Sequence, residues 1–412
     1  MSSAATDELP IERDPAYHGI DPTSPRDLER YDDPFPSLHH LRRVAPVNET
    51  PMGVWRLSRY DDCVRVLRGV RCGVRRLDGT YPRRPDSAGP AEFMLLQDPP
   101  THTRLRKLVS KSFTPRAAES WRARAQEIAN ECMDRALERG AIDVIADLAL
   151  PVPSTLICEM LGVPVADRDR FTKWTADATH GLSGTMASPE TQERARVAAM
   201  ALAGYFDALI AERRNDKRDD LLSELIRVEE EGDRLTPSEL VVQSIGLLIA
   251  GFETTIGLIG NGAAALARHP AEQAKWRARP ALAANATEEC LRFEGPIGMT
   301  LRVLHEDAVF GGRTIPKDTE VWALLWAANR DPARFPDPDR FDVERPNARD
   351  HLAFGGGAHL CLGAHLARME GQVALGTLVA RTREFALVSD EIQWGASLFR
   401  VPARLPIEYR AR

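Results

Sequence analysis

The segment from Thr236 to Arg268 constrains the fold more than any other. Thr236-Pro237-Ser238-Glu239 forms a capping box with proline at the first helical position, and no proline interrupts the chain again until Pro270. About 32 residues at 1.5 Å each make a rod of roughly 48 Å, close to the full width expected of a domain this size. A helix of that length has to cross the core, and the other elements have to pack around it. Midway it carries Ala250-Gly251-Phe252-Glu253-Thr254-Thr255, an acid and a hydroxyl in apolar surroundings. Threonine in a helix commonly bonds the carbonyl four residues back, here that of Ala250, so the pair is either a local helix feature or part of a site.

A second informative run is Phe354-Gly355-Gly356-Gly357-Ala358-His359-Leu360-Cys361-Leu362-Gly363. Leu366, Met369, Val373, Leu375 and Leu378 recur at helical spacing, which predicts a helix over Ala364 to Phe385. The sulfur of Cys361 then faces the unpaired N–H groups of a helix N-terminus, and these favour the thiolate. Gly355, Gly357 and Gly363 let the backbone turn close to a flat group, and Phe354 and Leu362 exclude water from a metal–sulfur bond. A lone cysteine is more often a small inert hydrophobe, so residue type alone leaves both readings open.

The other five cysteines, Cys63, Cys72, Cys132, Cys158 and Cys290, are scattered without a Cys-x-x-Cys pair, and nothing at the N-terminus resembles a signal peptide. Reduced thiols and a cytoplasmic protein are expected. The longest strongly apolar stretch, around Ile245 to Phe252, is too short to span a bilayer and is flanked by Gln243 and Glu253, so no membrane anchor is expected. The net charge of −6 argues against nucleic acid as a general partner. No linker, charge block or repeat divides the 412 residues. Residues 1–30, with Pro10, Pro15, Pro22 and Pro25, are expected to be irregular, and residues 31–412 to form a single domain. The pattern is mainly α with small β-sheets, and strands are expected at Val54–Leu57, Thr300–Val309 and Glu320–Leu325 and near the C-terminus. Between Val74 and Gln97 runs a long stretch with Pro82, Pro85 and Pro90 and little periodicity, a length typical of functional loops.

The ordered pattern Phe-Gly-x-Gly-x-His-x-Cys-x-Gly at 354–363 resembles the haem-binding loop of the cytochrome P-450 superfamily of haem-thiolate monooxygenases, with every fixed position filled. Three further motifs stand in the family's order, so the resemblance spans the chain from about Asp98 to the C-terminus. It implies the P-450 fold, with haem b between the long central helix and the loop and helix that carry Cys361, the proximal ligand, framed by Phe354, Gly355 and Gly363. On the central helix, Ala250 and Gly251 leave room for dioxygen and substrate, while Glu253 and Thr254 fall on the positions that bind and protonate dioxygen. That chemistry needs electron donation from a thiolate on one side and protons on the other; Thr254 bonds the oxygen and an ordered water, which Glu253 connects to solvent. Glu289-Cys290-Leu291-Arg292 matches the family's Glu-x-x-Arg helix, and Arg340 in Pro338-Asp339-Arg340-Phe341 its third member, a structural network supporting the haem loop. Asp98-Pro99-Pro100-Thr101-His102-Thr103-Arg104-Leu105-Arg106 resembles the start of the helix at the haem edge. His102 and Arg106 lie within about 40° of each other and match, with Arg302 and His359, the contacts to the haem propionates.

On the opposite side of that helix Arg104, Lys107 and Lys111 cluster within about 60°, a face that either docks an acidic ferredoxin- or flavodoxin-type carrier or is merely solvated. By family register the pocket draws on Phe93, Met94 and Leu96, on Gly246, Ile249 and Ala250, on Gly298, Met299 and Thr300, and on Leu398 and Phe399. These are mostly apolar or small, which suits a lipophilic small molecule. Phe293-Glu294-Gly295-Pro296 resembles bacterial members acting on polyketides, terpenoids or related products of secondary metabolism. With no second cysteine cluster and no Gly-rich nucleotide fingerprint after a strand, electrons from NAD(P)H are expected through a separate reductase and carrier. The expectation is a monomeric, haem-dependent monooxygenase that inserts one oxygen atom of O2 into a lipophilic substrate. A peroxide-driven peroxygenase is the nearest alternative, disfavoured by Glu253 and Thr254. A non-catalytic haem-thiolate sensor or binding protein, which would need no proton-delivery pair, is the alternative outside catalysis.

Overall fold

The computed structural model describes residues 33–82, 93–180, 188–230, 235–395 and 399–411. The irregular segment expected at 1–30, the middle of the Val74–Gln97 stretch and Leu398 lie outside them. The chain begins with α1 (Phe35–Val44), β1 (Val47–Glu49), β2 (Trp55–Leu57), α2 (Tyr60–Arg68) and β3 (Cys72–Gly73). A helical run follows: α3 (Thr101–Val109), α4 (Pro115–Ser120), α5 (Arg122–Arg139), the short β4 (Ile142–Asp143), α6 (Pro151–Leu161), α7 (Arg168–Thr179), α8 (Pro189–Asn215), α9 (Leu221–Glu230) and α10 (Pro237–Arg268). After α11 (Pro270–Ala278) and α12 (Ala283–Glu294) come β5 (Met299–Leu304), β6 (Ala308–Phe310), β7 (Arg313–Ile315), β8 (Glu320–Leu324) and α13 (Leu325–Asn329). A largely irregular stretch then leads to Cys361, α14 (Ala364–Arg381), β9 (Thr382–Leu387) and β10 (Pro406–Ala411). The strands form a five-stranded sheet in the order β1-β2-β8-β5-β3, a three-stranded sheet β4-β10-β9 and the hairpin β6-β7.

The long rod is present as read, opened by the complete capping box of Thr236 and Glu239. It packs against α6, α7, α8, α12 and α14 inside the largest apolar core. By length and composition α10 resembles a membrane span, but 67% of its most apolar window is covered by the rest of the chain. Thr255 to Ala267 are all buried, whereas Ile249, Ala250, Gly251, Glu253 and Thr254 are partly or fully exposed. The helix therefore opens at its midpoint.

Local pattern misjudged several boundaries. The helix expected over Ala364–Phe385 stops at Arg381, because the next residues join a sheet and Gln273 of α11 brackets Phe385, donating to its carbonyl at 2.7 Å and accepting from its N–H at 3.3 Å. The strand expected over Thr300–Val309 is divided into β5 and β6. β6 then turns through Gly311 and Gly312, both at positive φ (53° and 79°), as a two-residue hairpin requires. Leu325, expected at the end of a strand, starts α13.

The helix α12 carries the Glu289 network. Glu289 and Arg292 are fully buried and joined by two bonds of 2.7 and 2.8 Å. Arg340 is not the third member expected: its side chain is 61% exposed and faces Asp342. That place belongs to Arg345, whose Nε donates to Glu289 at 3.2 Å while its other nitrogens donate to the carbonyls of Pro336, Asp337 and Arg340. The loop turns its carbonyls inward onto two guanidinium groups, and this directs the Arg340 side chain outward. Arg345→Ala should thus cost about 3–5 kcal/mol of stability by leaving Glu289 undercompensated, and Arg340→Ala less than about 0.5 kcal/mol. Denaturant unfolding of the two variants gives the comparison, and equal losses would contradict the assignment.

A second buried acid joins α14 to α10. Glu370 is 3% exposed, and burial pushes its carboxyl up to about 8 against an opposing hydrogen bond with Thr255. The folded form therefore prefers the neutral acid, whereas the unfolded chain ionises near 4.5. Folding should weaken by about 1.4 kcal/mol per pH unit as pH rises between those values. Glu370→Gln, neutral at every pH, should lose this slope and gain on the wild type from pH 5 to about pH 8 in thermal melts; parallel curves would contradict it.

Candidate active site

Cys361 alone among the six cysteines is exposed; Cys72 is intermediate and the rest are buried. Its N–H donates to the Phe354 carbonyl at 3.0 Å, closing the loop on itself, and Leu360 N–H donates to Gly357 at 3.1 Å. Gly355 and Gly357 have φ of 68° and 67°. At Gly357 a Cβ would also lie 2.1 Å from the Leu67 carbonyl, so glycine is required there by the end of α2. Gly363 is different: nothing lies within 4 Å of where its Cβ would be, which leaves the loop's face open beside the sulfur. Although Cys361 is exposed as a residue, the surrounding chain buries its thiol and raises its pKa. The Gly363 N–H, Arg106 and Arg368 pull the other way, as expected for a helix N-terminus, without overcoming burial. Coordination to a metal ion deprotonates such a thiol outright.

Around the recess stand groups that want an anion. Arg302 is 4% exposed and donates only to Leu301, Thr300 and Gly356 oxygens, with no carboxylate at ion-pair distance among the described residues. Arg106 likewise has no carboxylate partner among them, and burial lowers the pKa of both guanidinium groups. The His102 and His359 rings pack 4.3 Å apart, and His102 Nδ1 and His359 Nε2 are buried without hydrogen-bond partners. Burial, then the neighbouring His359 and Arg106, push His102 down to about 4, so it is a neutral donor at pH 7. Asp98, which opens the motif before α3 but is assigned no role from sequence, lies 3.8 Å from His359 Nε2 and accepts from the Val74 and Arg75 N–H groups at 2.9 and 3.0 Å. A cysteine sulfur, an open glycine face, and the buried Arg302 and half-buried Arg106 without carboxylate partners among the described residues fit a flat dianionic group with a soft metal at its centre.

Across from these, Thr254 donates to the Ala250 carbonyl at 2.9 Å, and the helix runs unbroken from Pro237 to Arg268. The α10 ladder is kept through this point and the hydroxyl returns to its own backbone. Phe93 packs directly on α10: a Cβ at Gly246 would lie 2.1 Å from its ring. Met94 N–H donates to Gln243 at 3.1 Å, and Met94 and Leu96 are buried. Gly298 is covered by the Trp326 ring, 2.6 Å from a would-be Cβ, and Met299 and Thr300 open β5, with Thr300 accepting from Arg302 at 3.2 Å. Phe399 is 7% exposed.

The outer face of α3 differs from expectation at one residue. Arg104 donates to Glu239 at the start of α10, one bond being 3.2 Å, so it is an internal tie and not a free surface charge. Lys107 and Lys111 remain exposed, the latter in a 3-10 turn beyond the helix end.

Residues 80–279 and 281–388 match the family model described as Cytochrome P450. The chain is 41% identical to the cytochrome P450 monooxygenase PikC of Streptomyces venezuelae, covering 92% of this chain and 91% of that protein. It is 37% identical to the 6-deoxyerythronolide B hydroxylase of Saccharopolyspora erythraea, covering 90% and 95%. The solved structure of P450BioI in complex with a hexadec-9Z-enoic acid ligated acyl carrier protein superposes with a TM-score of 0.85 at 34% identity, covering 92% of this chain and 98% of that one. With the fold, the cysteine loop and these similarities in agreement over most of its length, the chain belongs to the cytochrome P450 family of haem monooxygenases.

Proposed function

We propose that this protein is a three-component monooxygenase that holds haem b by Cys361 and oxygenates a bulky, lipophilic natural product, polyketide- or terpenoid-like. The observation that carries the reading is the pairing of an accessible cysteine, set in a glycine-framed turn at the start of α14, with the opening at the midpoint of α10. Cysteinate-bound haem iron supplies, when reduced in two single-electron steps, the activation of dioxygen. In this reading Arg106, Arg302, His102 and His359 orient the group through its carboxylates, and Phe354 and Leu362 keep water from the sulfur. The Gly363 N–H and the positive charges of Arg106 and Arg368 favour the anionic sulfur against the burial that raises its pKa, and coordination to a metal would complete the deprotonation.

Thr254 Oγ1 releases the Ala250 carbonyl to hold a water or oxygen in the opening, and Glu253, half-buried beside it, passes protons inward. Ala250 and Gly251 leave space there; the nearest atom to a Cβ at Gly251 would be Ile157 Cδ1 at 3.8 Å. The apolar residues around it, Phe93, Met94, Ile249, Met299 and Phe399, suit a lipophilic substrate, and similarity to a 6-deoxyerythronolide B hydroxylase supports that class. Electrons would come from NAD(P)H through a reductase and an acidic ferredoxin- or flavodoxin-type carrier docking at Lys107 and Lys111, without Arg104.

Cys361→His should abolish the red-shifted Soret band of the ferrous carbon monoxide complex, with Cys290→Ala leaving it in place; persistence of the band in the former would refute the ligand assignment. Thr254→Ala should divert at least about tenfold more reductant into hydrogen peroxide, with substrate affinity nearly unchanged. Wild-type yields of product per NAD(P)H consumed would exclude the hydroxyl from proton delivery.

A further inference from the structure

We infer that the buried Glu294–Arg400 ion pair positions the two walls of the substrate pocket relative to the Thr254 hydroxyl, and so helps decide which lipophilic molecules fit. The inference rests on the oxygenase reading above. Arg400 and Glu294 are 3% and 6% exposed, and Arg400 Nε donates to Glu294 Oε1 at 2.7 Å. The guanidinium carbon lies 3.4 Å from the Trp394 ring centroid and 5.9 Å from that of Trp326. Main-chain bonds tie the same two segments: Arg400 N–H donates to Pro296 O at 2.9 Å. Asn261 of α10, 1% exposed, donates its carboxamide to Glu294 O at 3.0 Å and to Arg400 O at 2.9 Å.

One turn earlier on α10, Gly257 lets both segments approach, since a Cβ there would lie 2.6 Å from Pro296 and 3.1 Å from Val401. Ala250, Thr254, Gly257 and Asn261 follow the i, i+4, i+7, i+11 spacing of one helical stripe. The clamp therefore sits on the stripe that carries Thr254, between one and two turns away, about 10 Å at Asn261. Each clamped segment continues into a wall: Gly298 and Met299 follow Pro296, and Phe399 precedes Arg400. Trp326 locks the first of them, donating its indole N–H to Gly295 O at 2.6 Å and its backbone N–H to Gly298 O at 3.2 Å.

A buried ion pair is a poor source of stability, because desolvation offsets most of the attraction. What it supplies here is a fixed separation. Apolar packing tolerates sliding and repacking of comparable volumes, whereas a 2.7 Å charge-assisted bond holds the end of α12 and the C-terminal loop at one distance from each other and from α10.

The test uses two azoles on the haem-loaded protein, with Kd read from the Soret shift. Imidazole needs only the metal, while the phenyl ring of 4-phenylimidazole must also fit against the walls. In Glu294→Ala, and in the double variant Glu294→Gln with Arg400→Met, 4-phenylimidazole should bind at least about tenfold more weakly while imidazole stays within about twofold of wild type. The double variant removes both charges of the pair, and Arg330, which Glu294 also faces, keeps its bond to Asp339 at 3.0 Å, so it separates positioning from folding. A double variant with the wild-type ratio of the two affinities, or a Glu294→Ala protein that loses thermal stability with both affinities unchanged, overturns the inference. Failure of imidazole to shift the wild-type Soret band would instead refute the haem reading beneath it.

Discussion

A helix that crosses the whole molecule has to be apolar on nearly every side, and this one must also leave a gap at its centre. α10 meets both demands by residue size. From Thr255 to Ala267 it is closed off by neighbours, and at Ala250 and Gly251 it presents almost nothing to fill the space in front of it. The glycines at 246, 257, 260 and 262 serve close approach, since a Cβ at each would come within 2.7 Å of a neighbouring side chain. Phe93, Pro296, Ile145 and Leu375 occupy those places. The rod is thus the common reference against which the loop near Phe93, the segment after α12, the C-terminal loop and α14 are all set.

Electrostatics divides the interior into two kinds of region. The Glu289 network is complete: each guanidinium of Arg292 and Arg345 meets a carboxylate and several carbonyls. The region around Arg302, Arg106, His102 and His359 is not: neither arginine has a carboxylate at ion-pair distance among the described residues, ring nitrogens of both histidines are buried without hydrogen-bond partners, and Asp98 comes no nearer than 3.8 Å to His359. Leaving a charge uncompensated in a protein interior costs several kcal/mol, so such a cluster implies an anionic group as part of the folded protein. The neutral Glu370 beneath α10 shows the other solution, protonation in place of pairing.

Features decided by neighbours in sequence were legible before the structure. The Cys361 loop is one, since its turns, its cysteine and the following helix are contiguous; the capping box of α10 is another. Features decided across the fold were not. Arg340 and Arg345 sit in one loop, and only the inward turn of its carbonyls determines which guanidinium reaches Glu289. Helical angles placed Arg104 on the correct side of α3, but its partner Glu239 lies 135 positions away. The end of α14 depends on capture of Phe385 by Gln273, and β3 and β4 are too short, at two residues each, to leave a pattern. The Glu294–Arg400 clamp joins residues 106 apart, and neither looks unusual in its local sequence.

The central claim is that the sulfur of Cys361 binds the haem iron. Iron-edge X-ray absorption on the haem-loaded protein tests it most directly, using a variant in which Cys63, Cys72, Cys132, Cys158 and Cys290 are all replaced by alanine. A single sulfur scatterer in the first shell of iron, unchanged from wild type, is the predicted result; a first shell of nitrogen and oxygen alone in that variant would contradict the account.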